Sequence, residues 1–481
     1  MSSVSARAQF GSGTMAGSGL SVPGVQSALI LIGAAAAALA VLGFGTGSLL
    51  VIPGAVAVLA VIAKPELGIY ATLLALMVPI PVSLGPAVIY PHDAAAVLFA
   101  ASAFAAALRA RDFELPPLHY LVPAVAMVAI EIISLANSVN LQAGVTEVVQ
   151  QFYLLLIMPA AFFLVLRSEA VLHRSIKLFM ALMIMEVFLV CIQFICVTAG
   201  DESVSLFFAF GRDVFKGGQR VFGSIGPTVG ILLVASAFLW LSSGMRWTWK
   251  TLVLCLHVFA ILATGTRTSV LVLLVTLIFY GLFANRKGLS LKLLIPILAG
   301  GFIFAGVMGF SQFSSSLQHA SDSRYRVPID RKALSEVPNH PIIGHGPKAA
   351  ADVSISIFGA RKLGVENELV ARIYENGVVG LAVLFVFASV PVLCSVWMGR
   401  RYRRTGLLAA TLGAIIVGMY SASPAGCIFE GALGQWMVFF YAAMLAAACI
   451  SGRFTRGARS CFAEAASPAP TNVAQASRLC R

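Results

Sequence analysis

The stretch LGVENELVARIYENGVVGLAVLFVF, Leu363 to Phe387, runs three carboxylates and an arginine straight into an apolar segment. Glu366, Glu368, Arg372 and Glu375 come first, and from Gly377 to Phe387 no charged residue follows. Such a boundary marks either the mouth of a membrane helix or the edge of a soluble core. The rest of the chain decides between them. Its 481 residues are 59% hydrophobic and 11% charged, with a mean hydropathy of +0.92, and apolar runs recur from end to end. A soluble domain carries roughly a quarter charged residues, and its apolar runs break at helical or strand periods. The chain therefore belongs in a bilayer.

Hydropathy windows place candidate spans near 25–43, 47–63, 67–82, 94–108, 118–136, 149–166 and 178–197. A second set follows near 225–243, 250–264, 268–284, 291–310, 376–397, 406–421 and 432–450. The Ser- and Gly-rich segment 1–24 lacks an apolar core of signal-peptide length and reads as a flexible tail. Residues 451–481, ending in SPAPTNVAQASRLCR, read as a disordered tail. Cys191, Cys196, Cys255, Cys394 and Cys449 fall in apolar runs, Cys427 near a helix end, and Cys461 and Cys480 in that tail. No pair has metal-ligand spacing, so they read as small buried hydrophobes.

The net charge of +13 sits in short loops between apolar segments, which argues against nucleic acid as a partner. Loops after the even-numbered spans hold Arg109 and Arg111, then Arg167, Arg174 and Lys177, then Arg246 and Lys250, then Arg286, Lys287 and Lys292. The run Arg400, Arg401, Arg403 and Arg404 and the set Arg453, Arg456 and Arg459 continue the alternation. The positive-inside rule makes these loops and both termini cytoplasmic. The two longest loops, roughly 198–224 and 311–375, then face the other side. Loops of this length between packed helices commonly carry function.

Those outer segments hold cations against the orientation bias. FGRDVFKGGQRVFGSIGPTVGILL supplies Arg212, Lys216 and Arg220. In ATGTRTSVLVLLV, Arg267 stands among hydroxylated residues at a helix start. The free N–H groups and macrodipole of a helix N-terminus attract anions, and guanidinium matches paired oxygens; a snorkelling Arg267 that reaches lipid headgroups is the alternative. The large loop adds Arg324, Arg326 and Arg331, an amphipathic segment over 328–337, and the turn HPIIGHGP. His340 and His345 in that turn lack the third and fourth ligands a metal would need. Asp93 reads as a helix cap. Glu131 and Glu186 lie within spans, where an ionisable group needs a polar partner or cavity.

Four blocks in order, RVFGSIGPTVGILL, LATGTRTSVLVLLV, HPIIGHGP and VENELVARIYENGVVGL, resemble the O-antigen ligase and O-antigen or exopolysaccharide polymerase (Wzy-like) superfamily of membrane glycosyltransferases. The motifs span roughly 219–381. The resemblance implies an all-α fold: a polytopic integral membrane protein with about 12–14 transmembrane helices and one large periplasmic loop containing short helices. Its expected parts are a cytoplasmic tail 1–24, a transmembrane bundle 25–310, a periplasmic loop 311–375, C-terminal helices 376–450 and a cytoplasmic tail 451–481.

The resemblance further implies transfer of oligosaccharide repeats from a polyprenyl (undecaprenyl) diphosphate carrier to a sugar hydroxyl at the outer face of a bacterial inner membrane. Chain-length and export proteins would be partners, and neither metal nor other cofactor is expected, since no Asp-x-Asp occurs. Arg220 and Arg267 would bind the diphosphate, with Arg212, Arg324 and Arg326 as further contacts to the donor or the glycan. Glu366, where the family places a His before Asn367, would take the acceptor proton. Asn367 and Glu368 would contact substrate, although Glu368 with Arg372 is also an i, i+4 helix pair. The departure at Glu366 favours a polymerase over an O-antigen ligase acting on lipid A core. A flippase of lipid-linked oligosaccharide is the chief rival, and a scaffold of a secretion complex the other.

Overall fold

The computed structural model describes residues 58–77, 82–84, 87–198, 213–215, 218–221, 224–225, 228–284, 299–301, 303, 323–353, 365, 367–399, 405–422 and 431–465. The chain divides into two compact units, Met1–Ala63 and Lys64–Arg481. In the first, residues 58–63 are helical. The second holds α1 (Pro65–Ala75), α2 (Pro91–Ala110), α3 (Leu118–Ser134), α4 (Leu141–Leu166), α5 (Glu169–Thr198) and α6 (Val229–Ser242). Then come α7 (Trp247–Ala263), α8 (Arg267–Ala284), α9 (Ser323–Glu336), α10 (Glu368–Gly399), α11 (Thr405–Tyr420) and α12 (Gly431–Ala465). Two short antiparallel hairpins trim the loops: β1 (Val82–Leu84) pairs with β2 (Ala87–Ile89), and β3 (Asp213–Phe215) with β4 (Gly218–Arg220). The fold is all-α and polytopic, as expected. Among the described residues six helices are long and apolar enough to cross a membrane, and four more are apolar but shorter.

The element boundaries depart from the hydropathy windows where local chemistry overrides them. α1 stops at Ala75, because the following Val78-Pro79-Ile80-Pro81 cannot continue a helix. α4 starts at Leu141 rather than near 149, since Asn140 caps it by accepting from the Ala143 N–H at 3.1 Å. A π-helical turn, Tyr153–Ile157, interrupts α4 without ending it. α10 begins at Glu368, and its short first segment lies inside the stretch expected as a loop with short helices. α12 continues through Ala465, so helical backbone runs into the segment 451–481. The amphipathic segment expected at 328–337 is α9, which begins earlier, at Ser323. The expected tail 1–24 and the span 25–43 lie outside the described residues, as does most of 47–63 and 291–310.

The bundle is organised around α11 and α12. α11 packs on α8, α10 and α12, and between Met437 and Ala447 every residue of α12 is buried. Aromatic rings fill the seam: Phe179 meets Trp436 and Phe440 edge-on at 5.1 and 5.2 Å, and Phe162 meets Phe439 at 5.6 Å. Lipid tails are as apolar as leucine, so helices associate in a membrane by close packing of small residues. A Cβ at Gly413 would strike Ser395 Oγ, and one at Gly418 would strike Thr276 Oγ1.

Loop contacts sort into the same two groups as the alternating charges. One group joins Arg167 to Asp112 and Glu114 at 2.7 and 3.0 Å, and Arg174 to Glu66 at 3.6 Å. The other joins Asp93 to Gln435 at 2.6 Å, Glu147 to Lys348 at 3.1 Å and Asn137 to Gly344 O at 2.8 Å. Every member of the second group comes from a loop or helix end that the alternation assigns to the outer face.

α10 is broken. Gly377 has φ +67° and ψ −168°, outside helical geometry, between the segment Glu368–Asn376 and the long segment after it. The turn HPIIGHGP splints the break. Val378 and Val379 N–H donate to Pro341 O and Ile342 O at 2.9 and 3.4 Å, while Tyr374 O and Glu375 O accept from His345 and Gly346 N–H, both at 2.9 Å. Each of these two donors and two acceptors, which would pair with one another in a continuous helix, is thus satisfied by the turn. A Cβ at Gly377 would fall on the Ile342 carbonyl, and one at Gly344 (φ +69°) on the Glu375 carbonyl. Gly377→Ala is expected to lower unfolding stability by about 1–3 kcal/mol. Gly281→Ala, where a Cβ meets nothing, is expected to be neutral. Thermal unfolding of detergent-purified protein checks both, and equal midpoints would refute the splint.

Candidate functional site

The N-terminal end of α10 gathers most of the buried charge. Arg372, one turn after Glu368, donates from Nε to Glu368 Oε1 at 2.6 Å and from Nη1 to Glu131 of α3. Asn376 completes the group, donating to Glu131 Oε2 at 3.1 Å and to Ser134 Oγ at 3.3 Å. Glu131, Glu368 and Arg372 are all at least 95% buried. An isolated charge at such depth is costly, but here it is paired and hydrogen-bonded. Glu131 thus has the partner that its position within a span demands, 241 residues away in sequence.

Around this group the turn after α9 is fastened on several sides. Lys348 reaches Glu147 of α4, whose other oxygen accepts from Gln151 at 2.7 Å. The Ala350 N–H donates to Glu375 Oε1 at 3.1 Å. Ile329 and Ala333 of α9, Ala350 and Val353 of the loop, and Val370, Ala371 and Tyr374 of α10 form a separate small apolar core. Tyr374 OH donates to Glu336 Oε2 at 2.9 Å. The Lys332 ammonium beside Glu336, with that phenol, holds the carboxyl below the usual carboxylate range.

His345 sits between these parts. Its ring stacks on Tyr374 at 4.3 Å and meets His340 edge-on at 4.8 Å. Its Nδ1 lies 3.2 Å from Tyr374 O. Asn137 Nδ2 lies 3.4 Å from His340 Nδ1. No third His, Cys, Asp or Glu among the described residues joins the two rings in a metal-binding group.

The residues expected to act on substrate fall into three sets. Arg212 and Glu366 lie outside the described residues. Arg267 is the first residue of α8, Arg220 the last of β4, in register with Asp213, and Arg324 and Arg326 lie in the first turn of α9; for these four the backbone alone is described. Asn367 and Glu368 are described in full. Asn367 caps α10, its Oδ1 accepting from Leu369 and Val370 N–H at 3.1 and 3.4 Å. Glu368 answers Arg372, so the i, i+4 pair read from sequence is present.

The first two motif blocks also have structural work. Glu186 of α5 accepts from both the N–H and the hydroxyl of Ser224 in RVFGSIGP, which also reaches Met77 O at 3.2 Å. In LATGTRTS, Thr266 Oγ1 bridges Thr264 Oγ1 and Ser269 Oγ at 2.8 and 2.6 Å, fixing the turn that opens α8. Sequence reasoning missed the break at Gly377, the Glu147–Lys348 link and the stacking of His345. The tripeptide Glu375-Asn376-Gly377 inside an otherwise helical pattern was the available signal for the first.

Fold and site together define a polytopic membrane protein with one polar end built on a broken helix and the loop that returns to it. Residues 252–385 match the O-antigen ligase family, from α7 into α10. The resemblance carried by the motifs is thereby shown over this segment, and it supports a membrane enzyme of O-antigen or polysaccharide assembly. No curated protein matches the chain.

Removing one member of a buried ion pair leaves the other uncompensated. Glu131→Ala is expected to cost about 3–5 kcal/mol, and adding Arg372→Met should recover much of that loss. Unfolding of the single and double variants in detergent gives the coupling; strictly additive losses would show that the two side chains do not interact.

Proposed function

We propose that this protein lengthens a polysaccharide at the outer face of a bacterial inner membrane, moving oligosaccharide repeats from a polyprenyl diphosphate carrier to a sugar hydroxyl. The observation that carries the reading is the broken α10 splinted by HPIIGHGP, inside the segment that matches the O-antigen ligase family. Non-helical backbone at membrane depth is tolerated where protein buries it or where it lines a cavity. In other membrane proteins broken helices of this kind form substrate sites.

The leaving group is a lipid diphosphate, so the reaction needs positive charge where phosphate charge develops. The chain has no Asp-x-Asp pair to hold a metal for this purpose. Arg267 at the start of α8 and Arg220 at the end of β4 supply it in this reading, with Arg212, Arg324 and Arg326 contacting donor or glycan. Glu366, Asn367 and Glu368 contact the acceptor in this reading. Chain-length and export proteins are the partners such a polymerase would serve.

The family's description favours a second reading, ligation of finished chains to a lipid A core. Lipid-linked glycans in a deletion strain separate the two. Accumulation of single repeats is the expected outcome, while long unattached chains would establish the ligase. Arg267→Ala is expected to lower the elongation rate on the order of a hundredfold. Full activity in that variant, measured with lipid-linked repeats in membranes, would remove it from the site.

A further inference from the structure

The break at Gly377 does more than bend α10. In a continuous helix Tyr374 O would accept from the Val378 N–H, but that donor goes to Pro341 O instead. The released carbonyl turns to His345, accepting from its backbone N–H at 2.9 Å and facing its ring Nδ1 at 3.2 Å. A carbonyl oxygen can only accept, so Nδ1 carries a proton, and in the neutral ring Nε2 holds the lone pair. Stacking on Tyr374 fixes the ring plane. Among the described residues Nε2 has no hydrogen-bond partner, and the ring is half-buried at the N-terminal end of α10. A tautomer set by an oriented acceptor, with the opposite nitrogen open, is the arrangement a general base requires.

We infer that His345 is the catalytic base of the transfer, taking at Nε2 the proton of the acceptor hydroxyl. This rests on the glycosyl-transfer reading above. The acceptor oxygen forms a bond to the anomeric carbon, the bond from that carbon to the carrier diphosphate breaks with its electron pair leaving on the phosphate oxygen, and the proton passes to the imidazole.

The test compares His345→Asn with Glu366→Gln in membranes given lipid-linked repeats, with a core glycolipid offered as alternative acceptor. An asparagine amide can donate to Tyr374 O as Nδ1 does, yet offers no base. His345→Asn should keep the unfolding midpoint and donor binding of the wild type and lose at least about a hundredfold in turnover, with Glu366→Gln losing less. Turnover of His345→Asn within about threefold of wild type would overturn the assignment. Where the asparagine variant loses stability, His345→Ala decides: recovery of turnover on adding imidazole, which leaves wild type unchanged, supports the base, and no recovery overturns it. Wild-type protein that transfers to neither acceptor overturns the glycosyl-transfer reading, and the base with it.

Discussion

Every backbone N–H and C=O that enters a membrane must find a partner inside the protein, and at Gly377 α10, long and apolar enough to span one, gives up helical partners and takes others from another segment. Four hydrogen bonds between the turn 341–346 and residues 374–379 replace those the helix gives up. The repair fixes the large loop to the bundle at one place. The Asn137 and Ala350 contacts, the small apolar core under α9 and the orientation of His345 all follow from that attachment. A continuous helix here would leave the turn without its donors and acceptors, and the loop without its anchor.

The buried charges serve the same end. Glu368, Arg372 and Asn376 lie on one face of the short first segment of α10; Arg372 and Asn376 donate to Glu131 on α3, and Glu368 accepts from Arg372. Replacing such a pair by hydrocarbon of similar volume often costs nothing in stability, so ion pairs of this kind are better explained by the geometry they impose. Here they fix the rotation of a nine-residue segment whose sequel has turned away at Gly377. Glu147 with Lys348 does likewise for the loop.

Much of the bundle was legible because hydropathy reports burial in lipid directly. The alternation of Arg and Lys between loops also foretold which loop ends would meet. Ends of helices were less legible, because they depend on single residues: Asn140 draws α4 out by two turns, and Asn367 sets the start of α10 within what reads as loop. At the site, Glu368 and Arg372 could be paired from their spacing, and Glu131 and Glu186 could be known to need partners. Which partners could not be known. Arg372 and Ser224 are distant in sequence from the carboxylates they meet, and no local pattern encodes such a meeting. His345 looked like half of an unsupported metal pair, since its tautomer depends on a carbonyl that only the break sets free.

The distance in sequence between Glu131 and Arg372 has a consequence in time. At synthesis rates of about 5–20 residues per second, the 241 residues between them take roughly 10–50 s to make. Through that interval α3 has emerged while the arginine and the asparagine that answer its carboxylate do not yet exist. The first helices of the bundle therefore cannot mature as a finished unit; their polar interior closes only when α10, made late in the chain, is threaded in beside them.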